Sequence, residues 1–295
     1  MSLWLAKMAA EVHGLALAPN TEPNLFTLLP SATFTTSRIG DIRDPARVNA
    51  VAAATLPTIA IHMAAQPLVR RGYRTPVETF AANVMGTVHV LEALRGQKQL
   101  KAVLIVTTDK VYRNLEDGRA FREDDALGAH DPYSASKAAA EIDVASWAKS
   151  FFAPAGIPVM AARAGNVIGG GDWSEDRLVP DIWRAVQNDT PLSLRYPNAT
   201  RPWQHVIEPL AGYLRYLEAA VSGAAVPEAL NFGPYPHDVL TVVELAEEMI
   251  RALSASVACE QSSAPTAPEM RALALDPSLA GESIGWRPRA MAEFR

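Results

Sequence analysis

Residues 101–107, KAVLIVT, constrain the fold more than any other segment. The run is apolar almost throughout and does not alternate. Both of its faces must therefore be covered, as in a parallel strand flanked by helices. It is of strand length and falls far short of the roughly 20 residues a membrane-spanning helix needs. Around it, short strand candidates at 15–17, 33–39, 59–63 and 157–162 alternate with helix-length segments at 45–55, 76–94 and 132–152. Each of those helices opens on a proline (Pro45, Pro76, Pro132), the residue best tolerated in a first helical turn. The alternation predicts βαβ units and an α/β fold with a doubly wound, Rossmann-type parallel sheet. Residues 1–14 read as an amphipathic helix, with Leu5, Met8, Ala9 and Val12 on one stripe and Gly14 as its stop. Lys7 and Glu11 lie inside that stretch and argue against a signal peptide.

After Arg163 the pattern changes. Gly169, Gly170 and Gly171 and a series of prolines divide the chain into short pieces. This predicts a Rossmann-type domain over 1–163 and a smaller, mainly substrate-binding region over 164–295, with the chain returning to the sheet near 229–233. The net charge of −5 leaves no basic face for a nucleic-acid backbone. The single cysteine, Cys259, excludes a disulfide framework and a cysteine-rich zinc site and is compatible with the cytoplasm. His13, His89, His130 and His237 have no metal-ligand spacing, so no metal is expected.

Two neighbouring segments carry chemistry. Tyr133 and Lys137 stand at i and i+4, on one face of a helix. An ammonium beside a phenol favours the phenolate, so this spacing suits a general base. Y-x-x-x-K also occurs by chance, and position gives it weight: it opens the helix after the strand that ends in Thr107, Thr108, Asp109 and Lys110. Ligands of doubly wound sheets sit beyond the carboxyl ends of the strands. The alternative for Asp109 and Lys110 is a surface turn with a solvated ion pair.

With His62-Met63-Ala64-Ala65-Gln66, Asp41-Ile42-Arg43-Asp44 and Asn83-x-x-Gly86-Thr87 in the same order, the chain resembles the extended short-chain dehydrogenase/reductase family of nucleotide-sugar epimerases and dehydratases. The resemblance implies NAD as cofactor, held by Asp41, Ile42, Ala64, Ala65, Gln66, Thr107, Tyr133 and Lys137. It implies a nucleotide-sugar substrate, with Asn166 and Arg201 on the diphosphate. Gln66, Arg70 and Arg71 are further candidates for the sugar nucleotide, with surface charge as their alternative. Thr108-Asp109-Lys110 is similar to the element of the 4,6-dehydratase branch, and Arg163-Ala-Gly-Asn-Val-Ile-Gly-Gly-Gly-Asp-Trp173 to those members that take a cytidine diphosphate sugar for deoxysugar biosynthesis. The implied roles are Tyr133 as base for the C4 hydroxyl, Thr108 holding its oxygen, and Lys137 holding the cofactor ribose. Lys110 would remove the C5 proton and Asp109 would protonate the departing C6 hydroxyl. A homodimer through the helices at 76–94 and 132–152 is implied as well.

The sequence departs from that family in one respect. No strand and glycine-rich turn stand before residues 1–5, which align with the helix that should follow them. The expectation is a sheet without its first strand, weak NAD binding, and either coding sequence upstream of Met1 or a truncated gene. A 4-epimerase, another 4,6-dehydratase of the same family and a non-catalytic remnant that binds a sugar nucleotide are the alternative functions. At the other end, Gly285-Trp286-Arg287-Pro288 is family-like and a last helix is barely begun.

Overall fold

The computed structural model describes residues 1–30, 33–262 and 270–289. The expected last helix falls on 290–295, outside the described residues. The chain opens with α1 (Ser2–Lys7), β1 (His13–Ala16), α2 (Leu25–Leu28) and β2 (Thr36–Ile39). The first helix is shorter than the sequence pattern predicts. Ala9 turns to a φ of 64°, which ends it, and Gly14 lies inside β1 instead of stopping the helix. Next come α3 (Pro45–Thr55), β3 (Ile59–His62), α4 (Val69–Arg74), α5 (Pro76–Phe80), α6 (Gly86–Leu94), β4 (Ala102–Val106), α7 (Pro132–Trp147) and β5 (Val159–Ala164). Asp44 and Asp131 cap α3 and α7, each accepting backbone N–H bonds from the first turn.

Strands β3, β4 and β5 run parallel side by side, and β10 (Ala229–Phe232) returns to pair with β5. Side chains of β4 alternate between two cores, which is why the run 101–107 carries no polar face. Ala102 and Leu104 pack under α9 (Ile207–Val221) with Tyr213, Tyr216, Leu217 and Trp286. Val103 and Ile105 pack on the other side with Leu91, Leu94, Val144 and Phe152.

The sheet is divided. β1 pairs in parallel with β2 alone, and among the described residues no ladder joins β1 to β3. In the usual order 3-2-1-4-5-6 of such sheets, this division falls at the central first strand. Helices bridge it: α3 packs on α6, and Leu15 and Ala64 meet the Ile42, Val48, Ala52 and Ala93 cluster.

The helix at 76–94 is continuous but contains a π turn at Ala81–Met85. Its inward face is polar: Thr79, Asn83 and Thr87 are fully buried, whereas Val77 and Phe80 are exposed. The polar face is satisfied internally. Asn83 donates to Ser136 on α7 and accepts from the Gln66 amide; Thr87 meets His62.

The remaining elements form a small cap over the carboxyl ends of the strands. They are β6 (Val167–Ile168), α8 (Leu178–Asn188), β7 (Leu192–Leu194), β8 (Thr200–Arg201), β9 (Gln204–His205), β11 (Leu240–Thr241), α10 (Val242–Ala252) and β12 (Cys259–Gln261), while α11 (Ser278–Ile284) packs on α9 and β10 in the main core. Helices α8 and α10 enclose Ile182, Ala185, Leu192, Leu194, Ala246 and Ile250 against the β7–β12 pair.

Candidate active site

A cavity of about 410 Å³ lies between the strand ends and the cap. Its inner wall is built by Thr107, Thr108, Asp109, Lys110 and Tyr133, and its outer wall by Asn166, Arg177, Arg195, Arg201 and Trp203. The apolar run of β4 ends at Val106. The chain then enters a 3-10 turn at Asp109–Val111, where the Thr108 hydroxyl accepts from the Lys110 amide. That turn delivers Thr108, Asp109 and Lys110 into one cavity. The N-terminus of α7 brings Tyr133 to meet them.

Tyr133 and Thr108 share a side-chain hydrogen bond. Burial raises the Tyr133 hydroxyl above its ordinary pKa, while the Thr108 bond and the charge of Arg177 favour the phenolate. The groups that favour it are chiefly these two, and not Lys137 as the spacing alone suggests. Lys137 points beneath Tyr133 instead, and its Nζ donates to the Val106 carbonyl at 2.9 Å. Burial brings the Lys137 ammonium down to about 8, with Glu141 acting in the opposite direction.

Asp109 is 2% exposed and is held by Thr108, whose hydroxyl donates to Oδ1 at 2.9 Å. Its Oδ2 is buried without a hydrogen-bond partner. Burial pushes this carboxyl above its ordinary range, against the charges of Lys110 and Arg201. A buried acid in that position favours the protonated form. Lys110 is half-buried beside it. The solvated-ion-pair alternative does not describe this turn, because the carboxyl is inside the protein.

Of the other expected cofactor residues, Ala64 and Ala65 follow the end of β3, and Asp41 and Ile42 follow the end of β2. Arg43 binds the Asp41 carboxylate and holds it below the usual carboxylate range. Ile42 is buried against Gly86, where a Cβ would come within 2.5 Å of the Ile42 side chain. That close approach explains the glycine in Asn83-x-x-Gly86-Thr87. Gln66 turns inward: its side chain donates to Thr79 and accepts from the Leu68 amide. Arg70 lines the cavity and pairs with Asp176 at 2.7 Å, while Arg71 pairs with Glu175 outside it.

Lys137, Tyr133 and Thr107 stand close together at the end of β4 and the start of α7. Lys137 keeps ammonium N–H groups beyond the one that Val106 uses, next to Tyr133 and Thr107, which suits a ribose diol. Arg177, Arg195 and Glu141 were not singled out by sequence. Arg177 donates to the Pro67 carbonyl and Arg195 pairs with Asp176, and only the folding of the cap brings them to the cavity. Glu141 did carry a signal, standing one further i, i+4 step beyond Lys137.

The description of the GDP-mannose 4,6-dehydratase family matches residues 3–294. The chain belongs to that family. A curated relative, CDP-glucose 4,6-dehydratase of Salmonella typhimurium, is 42% identical over 98% of this chain and 82% of its own length. The dTDP-glucose 4,6-dehydratase 1 of Escherichia coli is 24% identical over 86% of this chain and 74% of its own length. Among solved structures, the dTDP-glucose 4,6-dehydratase DesIV of Streptomyces venezuelae, with NAD and TYD bound, superposes with a TM-score of 0.82 at 22% identity, covering 99% of this chain and 86% of that one. The UDP-glucose 4-epimerase of Thermus thermophilus in complex with NAD gives 0.82 at 22% identity, covering 97% and 89%. At that level of identity these two structures speak for the Rossmann-type fold. Within the dehydratase family, no helix among the described residues is long and apolar enough to cross a membrane, and no described cluster has the makings of a metal site.

Proposed function

We propose that this chain is an NAD-dependent nucleotide-sugar 4,6-dehydratase that converts CDP-glucose to CDP-4-keto-6-deoxyglucose. The observation that carries the reaction class is the Thr108-Asp109-Lys110 turn, with a buried, partnerless carboxyl oxygen on Asp109 in the same cavity as Tyr133. An epimerase has no hydroxyl to expel and needs no such acid. The nucleotide is supported by the 42% identical relative that acts on CDP-glucose.

The residues divide the work. Tyr133 takes the proton of the C4 hydroxyl, and Thr108, hydrogen-bonded to Tyr133, holds that oxygen. NAD, when bound, would supply the hydride acceptor that oxidation at C4 and reduction at C6 require. A 4-keto group acidifies the C5 hydrogen, which Lys110 removes in its neutral form. Asp109 gives its proton to the C6 hydroxyl, which leaves as water. Asp41 and Ile42 would hold the adenosine end of the cofactor, and Ala64, Ala65, Gln66, Thr107 and Lys137 the nicotinamide ribose end. Asn166 and Arg201 take the substrate diphosphate, Arg by paired N–H donation.

The same reading expects a cytoplasmic homodimer. Its support is the exposed apolar face of the two long helices, where Val77, Phe80, Met85, Ile142 and Phe151 are open to solvent.

The test is incubation with CDP-glucose and NAD in deuterated water, with the product read by mass spectrometry and NMR. The expected product has lost water and carries deuterium at C5. An isomer of unchanged composition would mean epimerisation. Absence of any product with added NAD would remove the catalytic reading. Equal competition by CDP, UDP and TDP would remove the cytidine preference and leave the reaction class.

A further inference from the structure

A buried ion pair lies one helical turn below the catalytic pair. Tyr133, Lys137 and Glu141 stand at i, i+4 and i+8 on α7, so successive residues share one face about 6 Å apart along the axis. Glu141 and Arg163 are each 5% exposed. The Arg163 Nε donates to both carboxylate oxygens of Glu141, at 3.0 and 2.9 Å, and Nη2 adds a third bond. The Thr107 hydroxyl donates to Glu141 Oε1. Behind Arg163, Nη1 donates to the Tyr112 hydroxyl at 2.8 Å, which donates to Asn231 on β10. The network thus ties α7 to β4, β5 and β10 at the level where β4 ends and the Thr108 turn begins.

We propose that Glu141 is a positioning residue of this site, which keeps the Lys137 side chain an ammonium and, through Thr107, fixes the end of β4 that presents Thr108. Arg163 locks the carboxylate in place. This proposal rests on the dehydratase reading for its consequence in turnover, but not for its physical content.

Other groups around Lys137 do not supply the counter-charge. His62 on β3 is fully buried and stays neutral, its pKa pushed down to about 3 by burial and by Lys137 itself. Arg163 on β5 is a cation. Asp109, in the turn after β4, favours its protonated form, and Lys110 beside it is basic. On α7, Tyr133 is held toward its neutral form by burial, and Asp131 is committed to capping the helix through Ser134. From α4, Gly72 meets Tyr133, and from the π turn Asn83 meets Ser136; neither is charged. Glu141 is the carboxylate that opposes the burial of Lys137, whose ammonium stands at about 8.

The experiment titrates Lys137 directly. The full-length chain is labelled with 13C at lysine Cε, and the resonance of Lys137 is identified by its loss in Lys137→Met. Glu141→Gln is expected to move its midpoint to lower pH by about one unit, the lower end of the effect of a nearby opposite charge. Lys137 then loses about half of its charge at neutral pH. In turnover, the alkaline limb of the kcat profile moves the same way with little change in KM, and Glu141→Asp, which keeps the charge, restores it. If Glu141→Gln does not fold, the double variant Glu141→Gln/Arg163→Met, which leaves no orphaned cation, is titrated instead. A Lys137 midpoint unchanged from the wild type in the folded variant overturns the proposal, as does failure of both variants to fold, which would make the pair purely structural. A wild-type chain inactive on CDP-glucose would remove the dehydratase reading while leaving the NMR result standing.

Discussion

Replacing Asp109 with Asn separates catalysis from stability, because the two effects have opposite signs. The amide has nearly the same shape, and its Oδ1 still accepts the Thr108 hydroxyl bond that the carboxylate accepts at 2.9 Å. The variant lacks only the acidic proton. Loss of a general acid costs about 10²–10⁴ in rate, or about 3–5 kcal/mol of transition-state stabilisation. Turnover of CDP-glucose should fall by that factor, whereas exchange of the C5 hydrogen with deuterated solvent should continue, since Lys110 is intact. Stability should move the other way. In the unfolded chain Asp109 titrates near its ordinary value of about 3.9, and in the folded protein burial raises it. Below the unfolded value both states are protonated and the group is neutral toward folding. As pH rises toward the folded value, the unfolded state ionises first and native stability declines by about 1.4 kcal/mol per unit of difference. Asn carries no such penalty. Melting temperatures measured from pH 4 to pH 8 should therefore show the variant gaining on the wild type with pH until the folded value is passed. A variant with wild-type kcat, or one whose melting difference is flat across that range, refutes the reasoning.

Tyr133→Phe should abolish turnover, by about 10²–10⁴ or more, and leave CDP binding by calorimetry close to wild type; retained kcat would displace Tyr133 from the base role. Lys110→Ala should stop elimination and C5 exchange together while oxidation at C4 persists, so reduced cofactor accumulates and is read by its absorbance. Normal product formation would put the C5 base elsewhere. Arg177→Gln removes a cation that favours the Tyr133 phenolate, so the acid limb of the kcat profile should move to higher pH. An unmoved limb would show that Arg177 does not act on Tyr133.

The parts of the fold that depend on local pattern were legible in the sequence. The helices opening at Pro45, Pro76 and Pro132 begin where the prolines place them, and β4 sits within the apolar run at 101–107, because burial on both faces leaves one simple signature. The Thr108-Asp109-Lys110 turn and Tyr133 were legible for the same reason: all follow the carboxyl end of one strand. What the sequence did not disclose depends on partners distant in the chain. Thr79, Asn83 and Thr87 read as an unremarkable polar set until Gln66, Ser136 and His62 are folded against them. Arg177 reads as a surface cation until the cap sets it over Tyr133. Lys137 at i+4 from Tyr133 suggested direct action on the phenol, yet the side chain is drawn down to the Val106 carbonyl, because a buried ammonium takes the nearest strong acceptor.

The divided sheet has a consequence for how the molecule opens. Strands β3, β4, β5 and β10 are laddered together and clamped by helices on both faces, so their amides exchange with solvent only when most of the structure is lost. The β1–β2 ribbon has one ladder, an exposed Ile39, and Leu15 as its link to the Ile42 cluster. Its hydrogen bonds open at a lower free energy, as a separate cooperative unit. Amide exchange should resolve two populations, with residues 13–16 and 36–39 labelled well before 102–106 and 159–164. The protein then has a hinge of stability along its own sheet, with the β1–β2 ribbon on the labile bank and Thr108 and Tyr133 on the rigid one.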